Sequence, residues 1–286
     1  MKIGISFFPV RPEFMLPIAR KADELGYDSL WIGEHIVFPS HVESKYPYNP
    51  GAGAPLPTTP LYDPLLTYAY IAGQTKQIRF GTGIFVLPIR QPLAMIKNVT
   101  TLDVLSGGRV LFGVGSGWLK EEFDALQASW DHRGARMEEI IGIMRRLWSE
   151  RLVAHEGKFY QFKEIGFEPK PAHGSIPILV GGETPIALKR AARCGDGWYG
   201  MHHTPESAAA RVKELRALRG SDGPFDITIA HETLPTVDTL RRLRDAGVHR
   251  VVFGNKMLSA GGKTLQASLD GLDRFANEVM YPATQG

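Results

Sequence analysis

The sequence predicts an α/β fold: a closed (β/α)8 barrel of the TIM type, with insertions after strands two and four. Three observations predict it. Eight short apolar runs with strand character alternate with eight runs of helical periodicity. Within that alternation, residues 79–118 form a complete strand–helix–strand unit, with strands at Arg79–Ile84 and Val110–Gly115 flanking a helix at Pro92–Leu105; such parallel crossovers are right-handed in nearly all proteins. The length of 286 residues suits one barrel, which needs about 250, whereas open doubly wound sheets usually stop at about six strands.

The chain opens with a strand at Ile3–Phe8 and a helix at Phe14–Leu25, whose Ile18, Ala19, Ala22 and Leu25 form a buried stripe. Gly26 is the expected left-handed stop. Ser29–Ile32 is the second strand, continuous and apolar as buried parallel strands are. About 25 residues follow without periodicity and with six prolines, Pro39, Pro47, Pro50, Pro55, Pro57 and Pro60; loops of that length inside a domain carry function or lack order. The second helix begins at Asp63-Pro64, a cap followed by proline at the first helical position, and ends near Gln74.

After the central unit, Trp118–Ala128 reads as a short helical excursion. Arg133–Ser149 is a helix striped by Met137, Ile140, Ile141, Met144, Leu147 and Trp148. Val153–Tyr160 reads as a small hairpin, and Pro169, Pro171 and Pro177 lead the chain back to a fifth strand at Ile178–Val180. Gly181–Pro185 turns it into a helix that stops at Gly195. Gly197–Tyr199, Ile227–Ala230 and Arg250–Phe253 are the last three strands. Their helices are Pro205–Arg219, Val237–Ala246 capped by Thr236, and a closing helix striped by Leu265, Leu269, Leu272, Ala276 and Val279. No internal repeat and no linker divides the chain, so residues 1–286 are expected to form a single domain.

Composition narrows the function. With 43% hydrophobic and 22% charged residues the chain is a globular enzyme type and not a disordered one. A dispersed net charge of +3 argues against nucleic acid, and Arg241-Arg242-Leu243-Arg244 reads as a solvated helix face. The single cysteine, Cys194, excludes an intrachain disulfide and fits a reducing compartment. The chain begins with a strand in place of a signal peptide, and no apolar run reaches membrane-spanning length. A cytoplasmic protein without a membrane partner is expected.

In such a barrel chemistry collects at the carboxyl ends of the strands. The candidates there are Ser6, Glu34-His35, Thr82-Gly83-Ile84, Ser116-Gly117-Trp118, Gly181–Thr184, Trp198–His203, His231-Glu232 and Gly254–Lys256. In Gly181–Thr184 two glycines free the backbone, Thr184 can cap, and Pro185 opens a helix whose unpaired N–H groups suit a phosphate. An ordinary strand-to-helix turn fits these residues equally well. A carboxylate at Glu183 repels phosphate and suits a sugar or ribityl hydroxyl instead. His35 at a strand end leaves structural and catalytic roles both open. Strand neighbours point to opposite faces, so only one of Glu34 and His35 is expected to look straight into the barrel mouth.

No metal site is expected. His202 and His203 diverge on extended backbone, and His155-Glu156 and His231-Glu232 have Phe159 and Pro235 where a zinc helix needs its second histidine. Strand one reads Ile5-Ser6-Phe7, without the paired histidines of a metal-hydrolase barrel. Gly113-Val114-Gly115-Ser116-Gly117 departs from a dinucleotide fingerprint, its third glycine arriving one residue early. Cys194, among alanines at a helix end, is a packing residue.

Several runs taken together resemble the bacterial luciferase-like monooxygenase family. They are Ala22–Trp31 with Glu34-His35, Gly81–Ile84, Leu102–Arg109, Gly113–Trp118 with Glu121-Glu122-Phe123, Arg133–Arg136, Val180-Gly181-Gly182 and Gly195–Trp198. The likeness is dense over residues 1–200 and is strongest to the branch that uses the deazaflavin coenzyme F420.

The resemblance implies an oxidoreductase that transfers a hydride between C5 of that coenzyme and a small organic substrate. It implies that Glu34 and His35 lie by the ring, and that a non-prolyl cis peptide at Gly83-Ile84, after Thr82, bulges against the ring's back face. Ser116, Gly117, Trp118 and Glu121 match a cofactor loop, and Gly181, Gly182, Glu183 and Thr184 match the phosphate loop. Some dehydrogenase relatives carry a catalytic glutamate where this chain has Trp118. His35 is the proton-handling candidate, Ile36–Pro60 with Tyr46 and Tyr48 the expected lid, and a homodimer the implied assembly. An FMN-dependent monooxygenase using O2 and a non-catalytic cofactor-binding protein are the competing expectations.

Overall fold

The computed structural model describes residues 1–7, 10–48, 56–220, 223–254 and 264–284. Phe8 of the first expected strand and the strand-end candidates Asn255 and Lys256 lie outside those residues.

The strands in chain order are β1 (Lys2–Ser6), β2 (Ser29–Ile32), β3 (Arg79–Thr82), β4 (Phe85–Val86), β5 (Val110–Gly115), β6 (Leu152–Glu156), β7 (Gln161–Gly166), β8 (Ile178–Gly181), β9 (Gly197–Met201), β10 (Asp226–His231) and β11 (Arg250–Phe253). Eight of them make a parallel ring in the order β3-β2-β1-β11-β10-β9-β8-β5, and pairing of β3 with β5 closes it. The expected eight-stranded barrel is the observed one. The helices outside it are α1 (Pro12–Glu24), α2 (Pro64–Ala72), α3 (Pro92–Ser106), α4 (Lys120–Ala125), α5 (Arg133–Ser149), α6 (Pro185–Cys194), α7 (Pro205–Arg219), α8 (Val237–Asp245) and a closing helix Leu265–Phe275.

Alternation along the strands sorts side chains into two compartments. Val110, Phe112, Val251 and Phe253 pack outward with the helices, beside Ile140, Met144 and Leu272. Their strand neighbours Leu111 and Val252, with Trp31, Leu179 and Tyr199, form a separate cluster that fills the barrel interior. Helix starts follow local chemistry: the side chains of Asp63, Gln91, Thr184, Thr204, Thr236 and Thr264 each accept from a first-turn amide. Gly26, with φ +76°, ends α1 as expected.

Two elements differ from expectation. The excursion after β5 is helical only over Lys120–Ala125. The hairpin is larger than Val153–Tyr160, because its return strand is Gln161–Gly166. Phe159 and Tyr160 belong to its turn, where their amides donate to the carboxylate of Glu139 on α5. No helix among the described residues is long and apolar enough to cross a membrane.

Candidate active site

A cavity of about 540 Å³ opens at the carboxyl ends of the strands. Of the cofactor-site residues that the resemblance implies, Glu34, His35, Gly83, Ile84, Gly117, Trp118, Gly181 and Gly182 line it. So do Ser6, Tyr199, Met201, His202, His231, Glu232 and Gly254 of the other strand-end candidates. Of the implied cofactor-site residues, Thr82, Ser116, Glu121, Glu183 and Thr184 are not among its lining residues. Each of the five has a definite place nearby. The Thr82 hydroxyl donates to the Gly113 carbonyl at 2.7 Å. Ser116 is half-buried beside Gly117. Thr184 caps α6 through the Ala187 amide. Glu183 accepts from the Met201 amide at 2.9 Å and pairs with His203 at 3.1 Å and Arg211 at 3.5 Å. Glu121 holds the loop after β2.

The peptide between Gly83 and Ile84 is cis, as the resemblance implies. Gly83 backs onto Tyr199, and a Cβ at Gly181 would lie 2.8 Å from Cγ2 of Ile84. The wall therefore advances on the cavity as backbone, at two points where only glycine leaves room.

Glu34 and His35 both line the cavity and diverge from there. Glu34 reaches across to β4, where it accepts from the Val86 amide at 2.8 Å and pairs with the Arg90 guanidinium. Burial pushes its carboxyl up to about 8, against the opposing pull of Arg90 and the Val86 amide. His35 turns toward α4, with Nδ1 2.8 Å from Oε2 of Glu122. The Trp118 ring stands edge-on to His35 at 5.7 Å, and Phe38 lies 4.6 Å away.

The loop after β2 is tied down by consecutive carboxylates of α4. Glu121 accepts from the amides of Glu43 at 2.7 Å and Ser44 at 2.9 Å. Glu122 accepts from the Ile36 amide at 2.6 Å. This seats Tyr46 against Trp118 at 5.2 Å and against Tyr48 at 5.4 Å. Burial pushes the Tyr48 phenol up to about 12. Both tyrosines line the cavity, so the described part of the expected lid is a wall of the site.

Sequence reasoning missed two contributors, Glu122 and Arg90, whereas Tyr199 belongs to the expected run Trp198–His203 and lines the cavity. Glu122 stood in the family-like run Glu121-Glu122-Phe123, but only contact across 87 residues shows what it holds. His202, His231 and Glu232 complete the rim. Among the described residues, no group of three or more His, Cys, Asp or Glu side chains is placed to hold a metal ion.

A family model described as luciferase-like monooxygenase matches residues 6–264. An uncharacterized protein of Mycobacterium tuberculosis (strain ATCC 25618 / H37Rv) is 34% identical over 274 residues, 93% of this chain and 94% of that protein. An F420-dependent glucose-6-phosphate dehydrogenase of Amycolatopsis mediterranei (strain U-32) is 28% identical over 283 residues, 94% of this chain and 78% of that protein. Among solved structures, a coenzyme F420 dependent tetrahydromethanopterin reductase from Methanopyrus kandleri superposes with a TM-score of 0.74. It is 18% identical, over 98% of each chain.

Proposed function

The chain belongs to the luciferase-like monooxygenase family, and from that premise we propose that it is an oxidoreductase dependent on coenzyme F420, acting on a small organic substrate. The observation that carries the proposal is the joint placement of the Gly83-Ile84 backbone and His35 on one cavity at the strand ends. An F420-dependent dehydrogenase among the relatives supports the choice of coenzyme.

The residues present fit a flat ring with an anionic tail. The backbone bulge at Gly83-Ile84 offers one face, and Trp118, Tyr46 and Phe38 offer apolar wall. Gly181 and Gly182 would hold the tail's phosphate end, with Arg211 beside Glu183 offsetting that carboxylate's charge. Bound there, the coenzyme supplies or accepts a hydride at C5 of its deazaflavin ring. His35 accepts or returns the proton that accompanies the hydride, and Nε2 is the ring atom for it because Nδ1 is engaged by Glu122. Glu34, buried and raised, anchors the segment before His35 to β4. Tyr46 and Trp118 exclude water from the space above.

Equilibrium titration with F420 and with FMN tests the proposal. Micromolar binding of F420, with coenzyme reduction or oxidation by some member of a broad alcohol and carbonyl panel, is expected. Micromolar FMN binding without F420 binding overturns it in favour of a flavin monooxygenase. F420 binding with no turnover across the panel overturns the catalytic part.

A further inference from the structure

We propose that Glu122 is a positioning residue that locks His35 in its Nδ1–H tautomer, so that Nε2 is the only ring atom left to exchange a proton in the cavity. The inference rests on the reading of His35 as the proton-handling group. Glu122 is 1% exposed, on α4 after β5, while His35 follows β2. Its Oε2 lies 2.8 Å from His35 Nδ1. Its Oε1 accepts from the Ile36 amide at 2.6 Å and faces the Val37 amide at 3.4 Å. Two backbone donors thus fix the rotation of the carboxylate and leave Oε2 for the imidazole alone.

A carboxylate only accepts, so the shared proton belongs to Nδ1, and the neutral ring presents Nε2 as an acceptor. A histidine whose other nitrogen is fixed by a buried carboxylate has its ring orientation set as well. The packing agrees: Phe38 and Trp118 stand against the same ring at 4.6 and 5.7 Å. Its neighbour Glu121 serves the loop, through the amides of Glu43 and Ser44 and the Ser44 hydroxyl. The two adjacent carboxylates therefore divide the work, one on the loop and one on the loop and the imidazole together.

The test is nitrogen NMR of 15N-histidine-labelled protein without coenzyme, in alkaline buffer, with His35 assigned by the signals lost in His35→Gln. Wild type is expected to show a protonated Nδ1 and an unprotonated Nε2. In Glu122→Gln the amide oxygen keeps the Ile36 bond and the amide NH2 faces Nδ1, so the pattern should reverse. In the coenzyme-loaded enzyme the same variant should lose kcat by on the order of 10²–10⁴-fold, the scale of acid–base residues. KM and coenzyme affinity should change less than about threefold, a split that simple loosening of the loop would not give. A wild-type ring protonated on Nε2, or an unchanged pattern in Glu122→Gln, overturns the lock. The wild-type spectrum decides this even if the variant fails to fold. A reversed pattern with unchanged turnover leaves the lock standing and removes His35 from the chemistry, which is a failure of the functional reading.

Discussion

A Cβ placed on Gly83 would lie 2.6 Å from the hydroxyl of Tyr199 and 2.8 Å from its Cζ. Tyr199 is 5% exposed, stacked on Trp31 at 5.1 Å and open only toward the cavity. Gly83→Val must therefore push the strand end or the Tyr199 ring into the cavity. Its coenzyme affinity should fall at least about tenfold, or roughly 1.4 kcal/mol, by the same equilibrium titration; wild-type affinity would contradict the placement of the ring against this bulge. At this scale the sequence was legible where a residue's meaning comes from its position on a strand end. Gly83, His35 and Gly181 are of that kind. Glu122 was not, because a glutamate in a short helix looks like any solvated one until the fold brings His35 to it.

At the scale of elements, α4 is a six-residue helix that fastens a long loop. Burial favours the neutral form of Glu121, but the Ser44 hydroxyl and the amides of Ser44 and Glu43 outweigh it and hold the carboxyl down to about 2. A depressed carboxylate contributes stability that is present above its unfolded value, about 4.3, and is lost as pH falls toward its folded value. Glu121→Gln should accordingly be less stable than wild type at pH 7, and the gap should close between about pH 4.3 and 2. Chemical denaturation of both proteins across that range measures it, and a pH-independent gap would mean that the charge plays no part in holding the loop. The helices read well from sequence because caps and apolar stripes are local, and Arg133–Ser149 coincides with its expected bounds. The hairpin was misplaced because its turn is set by Glu139, a partner in a different element.

At the scale of the whole molecule, the ring is secured at its amino end by a charge that the sequence hides inside an apolar strand. Arg250 is fully buried at the start of β11. It donates to Asp28 before β2 at 2.6 Å and to Asp226 at the start of β10 at 3.0 Å. Removing one partner from such a buried network leaves the others uncompensated, at a cost on the order of 3–5 kcal/mol. Arg250→Met should lower unfolding stability by about that much in urea titration; a loss under about 1 kcal/mol would show that the carboxylates find water instead. The strand count was legible, whereas this tie was not, since Asp28 lies 222 residues away in the chain. Closure by the β3–β5 pairing also bears on self-association. A ring has neither a first nor a last strand, so its backbone gives an incoming chain no row of idle amides on which to build a fibril. Among the described residues that hazard passes to the short, buried β4 and to the two-stranded β6–β7 ribbon, where exposed Lys163 and Glu164 set opposite charges on β7 as gatekeepers.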